Sequence, residues 1–484
     1  MKKRASIVLS LAAILSLLVS LFPGGIGVNA ETGINVSIDP HLNKALETEA
    51  GPFEVVVTFE GEGAPTTQDV AILEKIGLTE GVTMKALPVA GVLATESQID
   101  KLAQAEEVRS LYLNRKLTYF NEKATELTGV DQVRMDDQMT KWNEGLPVTG
   151  EGGSVLVHDS GVDGTHADLE YGSHLVENIL SSINLHAYSD IGPVTYQEGV
   201  VNTDTNSGHG THVAGTVGGT GQMSNGKYEG VAPGADLVGY GSGGALFILD
   251  AIGGFDYALT HQAEFDIRVI TNSWGSSGEF DPNGPVNVAS KVAYERGMVV
   301  TFAAGNAGPE ADTMNPYSLA PWVISVAAGT FESELADFSS RGVKGESGTF
   351  TSEGETYTYF NRPDVTAPGL NIVSTRTLSP VGVLNTTTDA ENIPTAFLPY
   401  YTTLSGTSMA TPHVAGIVML MLEANPTLSP DEVFEILTET TTDMPGYEAW
   451  EVGTGYVNAY AAVDRAFELT DSKTKKGPKH KSLR

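Results

Sequence analysis

Three short segments carry the residue types of nucleophilic acyl transfer. Asp159-Ser160-Gly161, His209-Gly210-Thr211-His212-Val213-Ala214-Gly215 and Gly406-Thr407-Ser408-Met409-Ala410 each hold one member of an Asp, His, Ser set among small residues. A serine hydroxyl is a weak nucleophile until a base takes its proton, so Ser408 needs an imidazole within hydrogen-bond reach. The imidazole in turn needs a carboxylate that fixes its tautomer and stabilises the imidazolium. His209 and Asp159 are the residue types for those two roles.

The elements that must position them can be read around each one. Val155-Leu156-Val157 is a continuous apolar run ending at His158-Asp159, the pattern of a buried parallel strand that delivers a carboxylate at its C-terminal end. Small residues at 208, 210 and 211 followed by Val213, Ala214 and Val217 predict a helix starting under His209, its apolar face on a sheet. The run from Ser408 to Val418 predicts a buried helix opening at the serine, with Pro412 tolerable only inside its first turn. The N-terminal dipole of that helix favours negative charge developing near Ser408. Two other chemistries fit less well. His209 and His212 stand at metal-like spacing, but the glutamate of an HExxH helix and a third ligand are missing, which disfavours zinc. Ser408 lacks the G-x-S-x-G elbow of α/β-hydrolases, having Thr407 and Ala410 beside it.

The three segments, in the chain order Asp, His, Ser known from subtilisin, resemble those of the subtilases, the subtilisin-like serine peptidases. The resemblance covers roughly residues 150–465 and implies an α/β fold, a subtilisin-like three-layer arrangement with a central parallel sheet. It implies further site residues. The strand 298–302 runs into Ala303-Ala304-Gly305-Asn306, similar to the motif whose side-chain amide, here Asn306, lines the oxyanion hole with the Ser408 N–H. Substrate would run as an extended strand along Ser242-Gly243 and Ser273-Trp274-Gly275, with Ala303, Ala304 and Gly305 walling the primary pocket. No charge marks that pocket, so a large apolar residue before the scissile bond is expected. Asp168 matches a family calcium ligand, yet residues 220–229, which should complete that site, are glycine-rich and carry Lys227. A structural calcium stays open, and no cofactor is required for the chemistry. His158 departs from the family, which usually has an aliphatic residue before the aspartate. Residues 342–361 and 378–402 read as surface insertions flanking the approach to Ser408.

The rest of the chain frames this unit. Lys2, Lys3 and Arg4, an apolar stretch to about Phe22 and Val28-Asn29-Ala30 read as a signal peptide over residues 1–30. Residues 31–120 alternate strand and helix patterns in the order β-α-β-β-α-β, with strands at 53–59, 82–87, 89–94 and 108–113 and a capping box at Thr95-Glu96-Ser97-Gln98. That order resembles the ferredoxin-like inhibitory propeptide of subtilases. Processing is expected between residues 117 and 123, after Phe120. The peptidase domain would span residues 121–470, with helices at 246–262 and 286–296 between short strands. A basic disordered tail would follow at 471–484. Cysteine is absent, so stability is expected from packing, with bound ions as a second source. The 60 acidic against 28 basic residues, net −32, argue against nucleic acid as a partner.

Together these features predict a secreted, extracellular serine endopeptidase, made as a self-processed precursor. It would act as a monomer on polypeptide substrates, with its own propeptide as intramolecular inhibitor and no transmembrane anchor. The alternatives are a catalytically inactive subtilase-like binding protein and an esterase.

Overall fold

The computed structural model describes residues 36–48, 50–119, 127–181, 183–378 and 386–475, and the chain from Val36 onward forms one compact unit. The expected signal peptide and Phe120 lie outside the described residues. The first layer is a six-stranded sheet in the order β1-β5-β2-β4-β3-β9. It comprises β1 (Ser37–Ile38), β2 (Phe53–Phe59), β3 (Gly81–Thr83), β4 (Val89–Ala94), β5 (Val108–Leu113) and the distant β9 (Ile191–Pro193). Helices α1 (Pro40–Thr48), α2 (Thr67–Lys75) and α3 (Glu96–Leu102) accompany it. Both α2 and α3 start at capping boxes, Thr66 with Asp69 and Thr95 with Gln98, so their first orphan N–H groups are satisfied locally. The strand expected over 82–87 stops at Thr83. The Met84 N–H still pairs with the Val89 carbonyl at 2.9 Å, but the chain then turns, which drops Met84 and Leu87 into the core below.

β6 (Lys116–Tyr119) leaves this layer and runs antiparallel between β11 (Leu246–Phe247) and β13 (Trp274–Gly275). Helices α4 (Val130–Met135) and α5 (Asp137–Trp142) lead into the second layer, a seven-stranded sheet in the order β18-β15-β14-β12-β7-β10-β8. Its strands are β7 (Ser154–Asp159), β8 (Leu175–Leu180), β10 (Asp236–Gly241), β12 (Ile267–Asn272), β14 (Val299–Ala303), β15 (Ile324–Gly329) and β18 (Val365–Pro368), all paired in parallel. Alternation along β7 decides which helices cover which face. Val155 and Val157 enter the core with α6 (His209–Gly218) and α10 (Thr407–Ala424), while Leu156 enters the core with α7 (Ile248–Phe265) and α8 (Pro285–Glu295). Helices on both faces of a parallel sheet make the three-layer α/β fold that the resemblance implied. After β7 the chain builds outward first to one side and then to the other, so the C-terminal end of β7 is the switch point where such sheets open a crevice.

The other expected elements fall close to their places. Helix α7 starts at Ile248 because Leu246–Phe247 are taken by β11. Residues 347–360 form a hairpin of β16 (Ser347–Ser352) and β17 (Glu355–Phe360), anchored where Phe350 and Tyr357 meet Trp322. β19 (Ile372–Thr375) pairs with β20 (Tyr401–Leu404), and α9 (Thr386–Asn392) lies between them in sequence. Helix α11 (Pro430–Glu439) has the expected Ser429 cap, first-turn Pro430 and Glu432 box. The last helix, α12 (Ala459–Lys475), runs past residue 470, so the expected tail does not begin at 471; residues 476–484 lie outside the described part.

Candidate active site

Asp159 is the last residue of β7 and is fully buried. Its Oδ1 accepts from the Ser160 N–H at 2.7 Å and from His209 Nδ1 at 2.6 Å, while its Oδ2 has no partner among the described residues. A short bond to a carboxylate places the proton on Nδ1 and leaves Nε2 as the basic end of the ring.

His209 is the first residue of α6, and its approach to Asp159 depends on a tight crossing of main chains. A Cβ at Gly210 would strike the Gly161 carbonyl, so only glycine fits there. The helix start is held by Asp204, which sequence reasoning missed. Asp204 Oδ1 accepts from Ser160 Oγ at 3.1 Å and the Gly208 N–H at 2.8 Å, and its Oδ2 accepts from the Thr211 N–H at 3.0 Å and Thr211 Oγ1 at 2.6 Å. Ser160 Oγ in turn accepts from the Gly210 N–H at 2.8 Å. Burial pushes the Asp204 carboxyl above its usual range, against the pull of those donors. Its only signal in the sequence is a polar loop before a helix start.

Ser408 is the second residue of α10, in a buried first turn whose early N–H groups have no acceptors within the helix. Pro412 lies well inside that helix, not in its first turn as expected. The proline cannot give the N–H that would normally bond the Ser408 carbonyl four residues back. Ser273 Oγ supplies the missing donor at 2.7 Å, and Ser408 Oγ donates to the Ser273 carbonyl at 2.8 Å. The two serines thus exchange bonds between the segment just after β12 and α10.

Asn306 follows β14 and is half-buried. Its Oδ1 accepts from the N–H and the Oγ1 of Thr407, both at 2.9 Å, and Thr407 Oγ1 accepts from the Gly305 N–H at 3.2 Å. With its oxygen pinned to the residue before Ser408, the amide keeps Nδ2 as a donor. Asn315 ties one expected substrate-flanking segment to the expected pocket wall, its Nδ2 donating to the Trp274 carbonyl at 3.1 Å and the Ala303 carbonyl at 2.8 Å. Ala304 is buried beside them.

The expected substrate-flanking segments differ in what they do. Trp274–Gly275 pair with β6. On the other side the pairing with β6 is made by Leu246–Phe247, while the Ser242 and Gly243 N–H groups bond the Asp159 and Ser160 carbonyls at 3.0 Å. His212 and His413 are buried, bonded to the Thr402 carbonyl and Thr128 Oγ1, and burial lowers both to about 3, so they are neutral structural rings. At Asp168 a calcium ion would compete with two protein donors. Asp168 Oδ1 accepts from the Met223 N–H at 2.9 Å and its Oδ2 from the Tyr401 hydroxyl at 2.5 Å, so protein hydrogens hold both oxygens. Among the described residues no cluster of three or more His, Cys, Asp or Glu is arranged to hold a metal.

Comparison with known proteins identifies the family. The subtilase family profile matches residues 150–457. Serine protease AprX of Bacillus subtilis (strain 168) is 31% identical over 376 residues, 75% of this chain and 76% of that protein. A subtilisin of Bacillus sp. (strain TA39) is 27% identical over 439 residues, 86% of this chain and 89% of that one. The solved structure of sphericase superposes with a TM-score of 0.51 at 26% identity, covering 70% of this chain and 99% of that chain. A match over the whole sheet and all three chemical segments, on a parallel α/β scaffold, makes this chain a member of the subtilase family, a subtilisin-like serine endopeptidase.

Proposed function

We propose that Ser408 is the nucleophile, His209 the general base and Asp159 its orienting carboxylate, in a secreted endopeptidase made as a self-processed precursor. The observation that carries this reading is the 2.6 Å bond from His209 Nδ1 to Asp159, which leaves Nε2 as the proton acceptor. Ser408 Oγ turns from the Ser273 carbonyl to His209 and attacks the scissile carbonyl as Nε2 takes its proton. Asn306 Nδ2 and the Ser408 N–H donate to the resulting oxyanion, helped by the N-terminal dipole of α10. His209 then returns the proton to the departing amine, and water repeats the sequence on the acyl-enzyme.

The path of β6 supports the rest. It lies as an antiparallel strand between two peptidase segments, the way an extended substrate binds by backbone bonds. On this reading residues 31–120 are the inhibitor and β6 is the part that fills the cleft, with cleavage just beyond it. The chain acts on polypeptides as a monomer, outside the cell. Among the described residues no helix is long and apolar enough to cross a membrane. The test is a Ser408→Ala protein, whose secreted form should keep residues from about 31 onward while the parent starts near residue 121. N-terminal sequencing separates them; a Ser408→Ala chain that matures alone would mean that another peptidase processes it.

A further inference from the structure

A buried polar node lies one residue below the three strand ends that carry the proposed site. Alternation along β7 turns His158 away from Asp159, onto the α7 face, where it meets Tyr240, Phe255 and Trp274 edge-on at 5.4, 5.5 and 5.1 Å between ring centres. An aliphatic side chain would pack there without polar atoms; what the imidazole adds is a hydrogen-bonding group. Burial lowers His158 to about 3 and keeps it neutral, so it carries one ring proton. That proton is on Nδ1, facing Asn272 Oδ1 at 2.9 Å on β12. Asn272 Nδ2 donates onward to the Thr301 carbonyl of β14 at 3.1 Å. The Trp274 indole closes the loop by donating to the His158 carbonyl at 2.9 Å. On the other side of the ring, no hydrogen bond of ordinary length and angle among the described residues reaches Nε2; the Asp250 main chain lies near the ring, and a Cβ at Gly254 would come within 2.5 Å of Nε2.

We propose that His158 and Asn272 are positioning residues for peptide hydrolysis, a brace that locks the ends of β7, β12 and β14 together. Asp159 follows His158 on β7, Ser273 follows Asn272 directly after β12 and is bonded to Ser408 in both directions, and β14 leads through Ala303 and Ala304 to Asn306. A small shear among these strands moves the carboxylate, the serine and the oxyanion donor relative to one another. Misplacement by about 1 Å costs a reaction on the order of a hundredfold. The inference rests on the triad proposed above.

Three variants of the full chain decide it, because they differ in where a donor stands. His158→Asn keeps an N–H where Nδ1 is, His158→Gln moves it to the Nε2 position, and His158→Leu removes it. His158→Asn should keep kcat within about threefold of the parent, while the glutamine and leucine variants lose about tenfold or more with KM little changed. The low-field proton resonance of the His209–Asp159 bond should shift in those two and stay in the asparagine variant. If the leucine variant is not secreted folded, the comparison of asparagine with glutamine carries the same test. Equal losses in the asparagine and glutamine variants, or losses in melting temperature with kcat untouched in all, would overturn the brace and leave the triad standing. Peptidase activity surviving in Ser408→Ala would overturn the triad and the brace with it.

Discussion

Asn306 and Ser273 show what single residues contribute around the proposed nucleophile. With its oxygen held by Thr407, Asn306 can present its amide nitrogen only as a donor, so it should act on the developing oxyanion more than on bound substrate. Asn306→Ala is expected to lower kcat by roughly a hundredfold to a thousandfold at nearly constant KM, the scale known for such a donor in subtilisin. Steady-state kinetics on a chromogenic peptide checks this, and a rise in KM alone would move Asn306 to substrate binding. Ser273→Ala, in a Ser408→Ala background that prevents self-digestion, should cost about 1–3 kcal/mol, because the Ser408 carbonyl loses its donor and Pro412 has none to offer. Adding Pro412→Ala restores an N–H four residues on and should recover part of that loss in urea melts; strictly additive effects would rule out the coupling. Asp159, His209, Ser408 and Asn306 were legible because each sits in a frame written by its immediate neighbours. The Ser273 bond was not, since its partners stand 135 positions apart and no local pattern announces them.

At the scale of elements, strands and helices of the central sheet were readable from apolar runs and caps, as at β7 and α11. What the sequence hid is how segment 378–402 is used. It was expected to be a surface insertion, yet Asp389 and Tyr401 are buried. Asp389 pairs with Arg376 and accepts from the Thr403 N–H at 2.6 Å, fixing the β19–β20 hairpin. The hairpin in turn accompanies α6, with Ser374 Oγ and Thr375 Oγ1 donating to the His212 and Thr211 carbonyls at 2.8 and 2.7 Å. Tyr401 reaches Asp168 across 233 positions, which no periodicity can signal. Tyr401→Phe should therefore destabilise the chain by about 1.5–3 kcal/mol, the range for a hydrogen bond to a charged group. The drop in melting temperature should be the same with calcium and with a chelator; a drop that calcium repairs would mean that a cation can take this corner.

Over the whole molecule, the N-terminal layer shares its core with the peptidase: Val56, Val82, Met84, Leu87 and Val89 are buried in one cluster with α7 and α8. The sequence carried the internal pattern of that layer but not this joint core, because apolar periodicity marks a buried face without naming what covers it. Protonation is also a property of the whole. His158, His212 and His413 are lowered to about 3 by burial, so from about pH 6.5 down to about 3 the unfolded chain binds protons that the native chain refuses. Stability therefore falls as pH falls through that window, by up to about 4 kcal/mol per pH unit for three rings. Asp250, raised to about 6 by burial, works the other way: its contribution is present below about pH 4 and is lost as pH rises through 6. His413→Gln should flatten the acid limb of the stability profile, and Asp250→Asn should steepen it between pH 4 and 6, both read by urea melts across pH. The central claim, an activated serine at 408, is tested most directly by intact mass and peptide mapping of the purified protein after reaction with a fluorophosphonate. One adduct on Ser408, lost in His209→Ala, is the expected result; an unlabelled Ser408 in the active wild-type protein, or labelling undiminished by His209→Ala, would contradict it.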